Sequence, residues 1–199
     1  MPNLISSANF VGDVMLPNVV GTTPQAAQLT TFITKHEHRY LKDILGVEMY
    51  ELFQAGLIAQ DTDYTEIRDG ATFTDRSGIV REWLGLIDVG TSPIANYVYY
   101  QVMKYSVSQT QGVGESMSAV ENGTRASSSV KMVDAWNQMV EWNRTLHEYL
   151  MVHQSTFTTY IGINYPPTEL YTDFYPHSTN SITAEVNQHL FKYINTWVI

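Results

Sequence analysis

Tyr40-Leu41-Lys42-Asp43-Ile44-Leu45-Gly46-Val47-Glu48-Met49-Tyr50-Glu51-Leu52 decides the fold class of this chain. Apolar residues recur at three- and four-residue spacing up to Leu45, glycine interrupts them, and the same spacing resumes with Met49, Leu52 and Phe53. Such a pattern predicts two amphipathic helices meeting at Gly46, a helical hairpin. Upstream, Leu29, Phe32, Ile33, His36 and Tyr40 extend the first apolar face back to Thr22-Thr23-Pro24. A threonine N-cap followed by proline at the first helical position starts a helix there. The second helix is expected from 47 to about 57, with Met49, Leu52, Phe53 and Leu57 inward and Gly56 loosening its end.

Downstream, Ser92-Pro93 repeats the start signal and opens a helix to about Val107, apolar nearly all round and therefore central. Another helix spans 130 to 152, with Val133, Trp136, Val140, Leu146 and Leu150 on one stripe, widened by Met139, Trp142 and Tyr149. The fold class is mainly α: a four- to five-helix bundle with an extended N-terminal arm and a long, partly extended C-terminal tail ending in a helix. Three regions follow. Residues 1–22 form the arm, with one strand at Val14-Met15-Leu16; residues 23–155 form the bundle; residues 156–199 form the tail. In the tail, Tyr165-Pro166-Pro167 and Phe174-Tyr175-Pro176 read as extended, and Ile182, Val186, Leu190, Tyr193, Ile194 and Trp197 are spaced as a helix.

Two stretches interrupt the helices. Residues 58–91 are polar, rich in aspartate and punctuated by glycine, with one helix expected around 79–86 carrying Trp83; excursions of that length are usually functional or mobile. Residues 109–129, rich in Gly, Ser, Gln and Asn, read as a mobile loop.

Composition sets bounds. The chain has 199 residues, 44% hydrophobic and 12% aromatic, enough to build a core. It has no cysteine, which excludes disulfides, thiol nucleophiles and cysteine-built zinc sites. No run approaches about 18 uninterrupted apolar residues, and Met1-Pro2-Asn3-Leu4-Ile5 lacks the features of a signal peptide, so no targeting segment or membrane anchor is expected. The formal charge is −9, and residues 43–88 hold ten acids against Arg68, Arg76 and Arg81. An acidic chain with scattered bases does not bind nucleic acid by neutralising phosphates. Its acidic stretch is either a solvated face that maintains solubility or a surface that repels something anionic.

Candidate chemistry is sparse. His36-Glu37-His38 fails as a metal motif, because helical residues two apart point to different faces; His36 reads as a satisfied core histidine and His38 as an outer one. Counting from Asp61, a calcium loop needs glycine at position six and glutamate at twelve, where this chain has Glu66 and Thr72. A carboxylate pair for glycoside hydrolysis is possible in principle, but any acid-rich chain offers one. No nucleophile elbow, P-loop or dinucleotide fingerprint appears, and Gly112-Val113-Gly114 lacks a third glycine. The sequons Asn122-Gly123-Thr124 and Asn143-Arg144-Thr145 carry little weight without a secretory signal. No nucleophile, base and orienting group fall together by spacing, so the chain is not read as an enzyme, and no cofactor is implied.

The order of parts resembles the head-tail connector (adaptor) proteins of tailed bacteriophages, in particular an uncharacterised phage and prophage group among them. The resemblance rests on Leu16-Pro17 ahead of the first helix, on the segment from Tyr40 to Leu52, on the helix from Tyr97 to Tyr105, and on the polar loop containing Gly112-Val113-Gly114-Glu115 and Glu121-Asn122-Gly123 before the long helix from Val130. It covers roughly residues 10–155; the tail after Ser155 departs from it. The resemblance implies a structural virion protein that forms a ring of about twelve copies beneath the portal protein, contacts neck and tail proteins, and lines a channel through which DNA passes without sequence-specific binding. It places the protein at the head-tail junction of the virion, and in the host cytoplasm during assembly. On that reading Asp61, Asp63, Glu66 and Asp69 form a channel- or ring-facing acidic segment, and Arg125, Tyr165, Tyr175 and Trp197 belong to a partner-contact loop and tail. The alternative is a monomeric carbohydrate- or protein-binding module that uses the aromatic tail.

Overall fold

The computed structural model describes residues 2–16, 24–107, 109–111, 114–116 and 129–160, with Leu190 and Tyr193. These residues are mainly helical: α1 (Pro24–Leu45), α2 (Val47–Ala59), α3 (Thr62–Asp69), α4 (Pro93–Val107) and α5 (Ser129–Val152). Two antiparallel hairpins accompany them, β1 (Ala71–Thr74) with β2 (Val80–Trp83), and β3 (Gln109–Gln111) with β4 (Gly114–Ser116). Thr23, the expected cap of α1, lies outside the described residues.

The deciding segment folds as its spacing predicts. Tyr40, Leu41, Ile44, Leu45, Met49, Tyr50 and Phe53 are all buried, and Gly46 joins the two helices with φ +82°, a left-handed conformation that side chains resist. Burial of Met49 and Phe53 stabilises the junction by about 1.5–3 kcal/mol each. Two details of α2 differ from expectation. Leu52 points outward and Tyr50 inward, because the buried stripe runs through Met49, Tyr50, Phe53 and Gly56. Gly56 does not loosen the helix end; it admits α3, since a Cβ there would lie 2.1 Å from the ring of Tyr64.

α4 is central, packed between α1 and α5, with Ile94, Ala95, Val98 and Tyr99 buried. Its start is built as Ser92-Pro93 implies: the Ser92 hydroxyl accepts from the Ala95 amide (3.1 Å) and donates to the Leu86 carbonyl (2.6 Å). Every apolar residue expected on the stripe of α5 is buried, and Trp142 is half-buried. Past α5, Phe157 and Tyr160 join the same core.

The N-terminal residues carry no strand at Val14-Met15-Leu16. Ser7–Asn9 and Gly12–Val14 form 3-10 turns that drop Ile5, Phe10 and Val14 into the core. Buried Glu37 of α1 accepts the Leu4 and Ile5 amides (2.7 and 3.1 Å) and ties this segment down.

The excursion holds the largest departure. The helix expected around 79–86 is absent, and β2 occupies its first half. Thr72 and Phe73 of β1 face Glu82 and Arg81 of β2, so these β-prone residues pair across a turn instead of coiling. Trp83 closes the hairpin from below, its indole N–H donating to the Ile67 carbonyl (2.9 Å). α3 was not expected; Asp61 caps it by accepting the Asp63 amide (3.1 Å).

Candidate functional site

α3 and the β1–β2 hairpin carry the acid-rich stretch, so the site is built from them. Asp61, Thr62 and Asp63 start α3 at the surface, with Asp61 committed to the cap. One turn later Glu66 accepts from the hydroxyl of Tyr149 on α5 (2.8 Å). Burial first, then Glu66, pushes the Tyr149 hydroxyl well above its ordinary range and keeps it protonated as the donor. Asp69, in the last turn, accepts from both Nε and Nη2 of Arg68 (2.6 Å each). That pairing holds the Asp69 carboxyl below its usual value and raises Arg68.

The four acids expected to act together therefore have separate employments: a cap, an exposed charge at Asp63, an acceptor for α5 and half of an ion pair. A groove of about 440 Å³ runs beside them, lined by Gln60, Thr62, Glu66, Arg68, Asp69 and neighbouring residues. Among the described residues no group of three His, Asp or Glu is placed to hold a metal ion.

Two glycines fix how α3 meets the hairpin. Gly70 ends α3 at φ +104°, and a Cβ there would lie 2.6 Å from the Trp83 carbonyl oxygen. Gly85, at φ +93°, lets the chain just past β2 approach the end of α3, since a Cβ there would lie 2.6 Å from the Asp69 carbonyl carbon. The Leu86 amide then donates to the Arg68 carbonyl (2.8 Å).

At the hairpin tip sits a residue that the sequence reading passed over. Asp75 is buried; its Oδ1 accepts the Ser77 and Ile79 amides (2.8 and 2.9 Å), and its Oδ2 accepts from Arg81 Nε (2.7 Å). Arg81, with these amides behind it, holds the Asp75 carboxyl below the usual carboxylate range. Arg81 also reaches Glu148 of α5 at 3.4 Å, so the tip is bound to the helical body. The signal was present in Asp75-Arg76-Ser77-Gly78, an aspartate-led turn that follows a short alternating run.

His36 is buried as expected but not satisfied: neither ring nitrogen has a hydrogen-bond partner among the described residues. It stacks on Phe32 (5.5 Å between centroids) and meets Tyr97 edge-on. Burial, then Lys35 and Arg39, lowers its pKa and keeps the ring neutral. His38 lies on another face and is half-buried, hydrogen-bonded through Nδ1 to the Tyr50 hydroxyl. In the second sequon, Asn143 is fully buried, accepting from the Tyr40 hydroxyl and donating to the Leu190 carbonyl (2.7 Å).

Arg125, Tyr165, Tyr175 and Trp197 lie outside the described residues, as do Asn122 and most of the 109–129 stretch beyond β3 and β4. Among the described residues no helix is long and apolar enough to cross a membrane. Comparison with protein-family models, with curated proteins and with solved structures finds no match to this chain.

Proposed function

We propose that this chain is a non-catalytic virion subunit, a head-tail connector of a tailed bacteriophage that assembles as a ring beneath the portal and surrounds the DNA path. Its helices form a bundle in that reading, and the segment after residue 160 serves as a tail toward neck and tail proteins. The observation that carries the proposal is the α1–Gly46–α2 junction: the segment with the most specific resemblance to connectors folds as a helical hairpin with Tyr40, Leu41, Ile44, Leu45, Met49 and Tyr50 buried. The acid-rich surface agrees with it. About twelve copies at −9 each would give a ring of roughly a hundred formal negative charges, through which DNA slides because nothing attracts its phosphates. The alternative, a monomeric binding module, depends on Tyr165, Tyr175 and Trp197, which lie outside the described residues.

Native mass spectrometry of the chain mixed with the portal protein encoded near it tests the proposal. Saturation at a fixed number of copies matching the portal's symmetry is expected; an intact portal that takes up none refutes it. Within the assembled particle, Asp61→Asn with Asp63→Asn should change DNA retention or ejection while leaving the fold intact, because asparagine caps a helix about as well as aspartate. Unchanged ejection would remove these two acids from any role in DNA passage.

A further inference from the structure

Three of the described cations share one face of α1. Lys35, Arg39 and Lys42 recur at four- and three-residue spacing on the exposed side of α1. Lys35 stands 5.9 Å from the ring centroid of Tyr105 on α4, and exposed Lys104 precedes that tyrosine. Lys35, Arg39 and Lys104 thus make the seam between α1 and α4 a basic stripe on a chain of charge −9, and Lys42, 5.5 Å from the Tyr50 ring of α2, extends it along α1. At its edge Tyr105 is 53% exposed, an aromatic of the kind that anchors protein contacts. Asp43, 3.6 Å from Arg39, is the one acid of the same α1 face paired to it.

The acids gather elsewhere: α3 with its cap and the β1–β2 hairpin hold Asp61, Asp63, Glu66, Asp69, Asp75 and Glu82 against Arg68, Arg76 and Arg81. α3 packs on α2 and reaches α5 through Glu66 and Tyr149, while α1 packs on α2 and α4, and α4 on α5. One element therefore separates α3 from the basic seam by either route around the body. Asp63 of α3 and Glu82 of the hairpin are exposed acids there, and Ile58, at the end of α2 beside the start of α3, is 76% exposed.

Two complementary surfaces on one chain that cannot meet within it can meet between copies. We infer that copies of this chain join head to tail, the basic α1–α4 seam of one seated on the acidic α3 side of the next. Such a contact is heterologous, and heterologous contacts close into rings when the rotation allows. Tyr105 on one side and Ile58 on the other supply an apolar centre, rimmed by opposed charges that set register and partner choice. The inference deepens the ring reading and rests on it: it takes the acidic segment of α3 as ring-facing, at the joint between neighbours, where neutralising Asp61 and Asp63 acts on DNA passage through the assembly of the ring.

Sedimentation velocity of the isolated full chain tests it. Association that grows with protein concentration is expected in about 0.1 M salt and is lost in about 1 M salt, where the Debye length shrinks from about 10 to about 3 Å. The triple variant Lys35→Glu/Arg39→Glu/Lys42→Glu, and separately Asp63→Lys/Glu82→Lys, should each weaken association by about tenfold or more. An equimolar mixture of the two should restore association, because the native faces left on the two variants are complementary and the two reversed faces carry opposite charge; this rescue also shows that both are folded. Association indifferent to salt and to both reversals overturns the inference, as does a wild-type chain that stays monomeric up to about 1 mM. Portal binding by the wild-type chain in either of those cases leaves the ring reading standing, and its absence removes that reading independently.

Discussion

Asp75 holds three donors with one carboxylate, two from its own turn and one from Arg81, so the tip of the β1–β2 hairpin is rigid although its flanks are exposed. Because its pKa is lowered in the folded chain, the stability it contributes is present above about pH 4 and is lost as pH falls through the folded value. Asp75→Asn should therefore lower the urea midpoint at pH 7, and the gap from wild type should close below about pH 4. His147 acts at higher pH. Burial, with Arg76 second, pushes its pKa down to about 4, and it stays neutral against the Tyr160 hydroxyl (2.8 Å). The unfolded chain takes up that proton near pH 6.5, so stability should fall by up to about 3 kcal/mol between pH 6.5 and 4. Glu37 works in the opposite direction: burial raises its pKa, and ionising it costs stability as pH rises above about 4.5. Thermal unfolding of His147→Gln across this range should show a smaller fall toward low pH, the part that belongs to buried His36 remaining; a variant that tracks the wild type would exclude His147 as the sensor. Spacing placed His36 on the buried face, but the burial of His147 and Glu37 was not legible, since they differ from surface residues only in what surrounds them.

At the scale of elements, the meeting of α3 with the hairpin depends on backbone approach at Gly70 and Gly85. Gly85→Ala places a methyl group 2.6 Å from the Asp69 carbonyl carbon at a φ of +93°, so a loss of about 2 kcal/mol or more is expected in chemical denaturation. Preserved stability would show that the loop from Gly85 can shift without penalty. α1, α4 and α5, with most of α2, could be read in advance because long helices repeat their buried face many times. Leu52 misled because α2 is apolar on both sides, and spacing alone does not say which side is covered. The 58–91 stretch resisted for a different reason. α3 has 8 residues and each strand of the hairpin 4, too few for a period to emerge from propensity. What holds them is tertiary: the Trp83 indole on Ile67, the Tyr149 hydroxyl on Glu66, and Arg81 between Asp75 and Glu148. The candidate site was therefore legible as a composition and not as a geometry; the acid-rich run could be named, but not the separate tasks of Asp61, Glu66 and Asp69.

Across the whole molecule, Asn143 connects the most distant parts. It joins Tyr40 on α1, 103 residues upstream, to the Leu190 carbonyl, 47 residues downstream, with no exposure to solvent. Asn143→Ala strands a buried hydroxyl and a buried carbonyl together, and should cost about 2–4 kcal/mol in equilibrium unfolding. The same burial means that the second sequon is closed to modification in the folded chain, so a glycan attached at Asn143 could be acquired only before α5 docks. This knot also sets a clock on biosynthesis. At about 5–20 residues per second, a ribosome that has just added Asn143 needs roughly 2–9 s more to reach Leu190. Throughout that interval the amide lacks its carbonyl acceptor, so the nascent helices can gather but cannot seal, and the final closure waits for Leu190 to leave the exit tunnel.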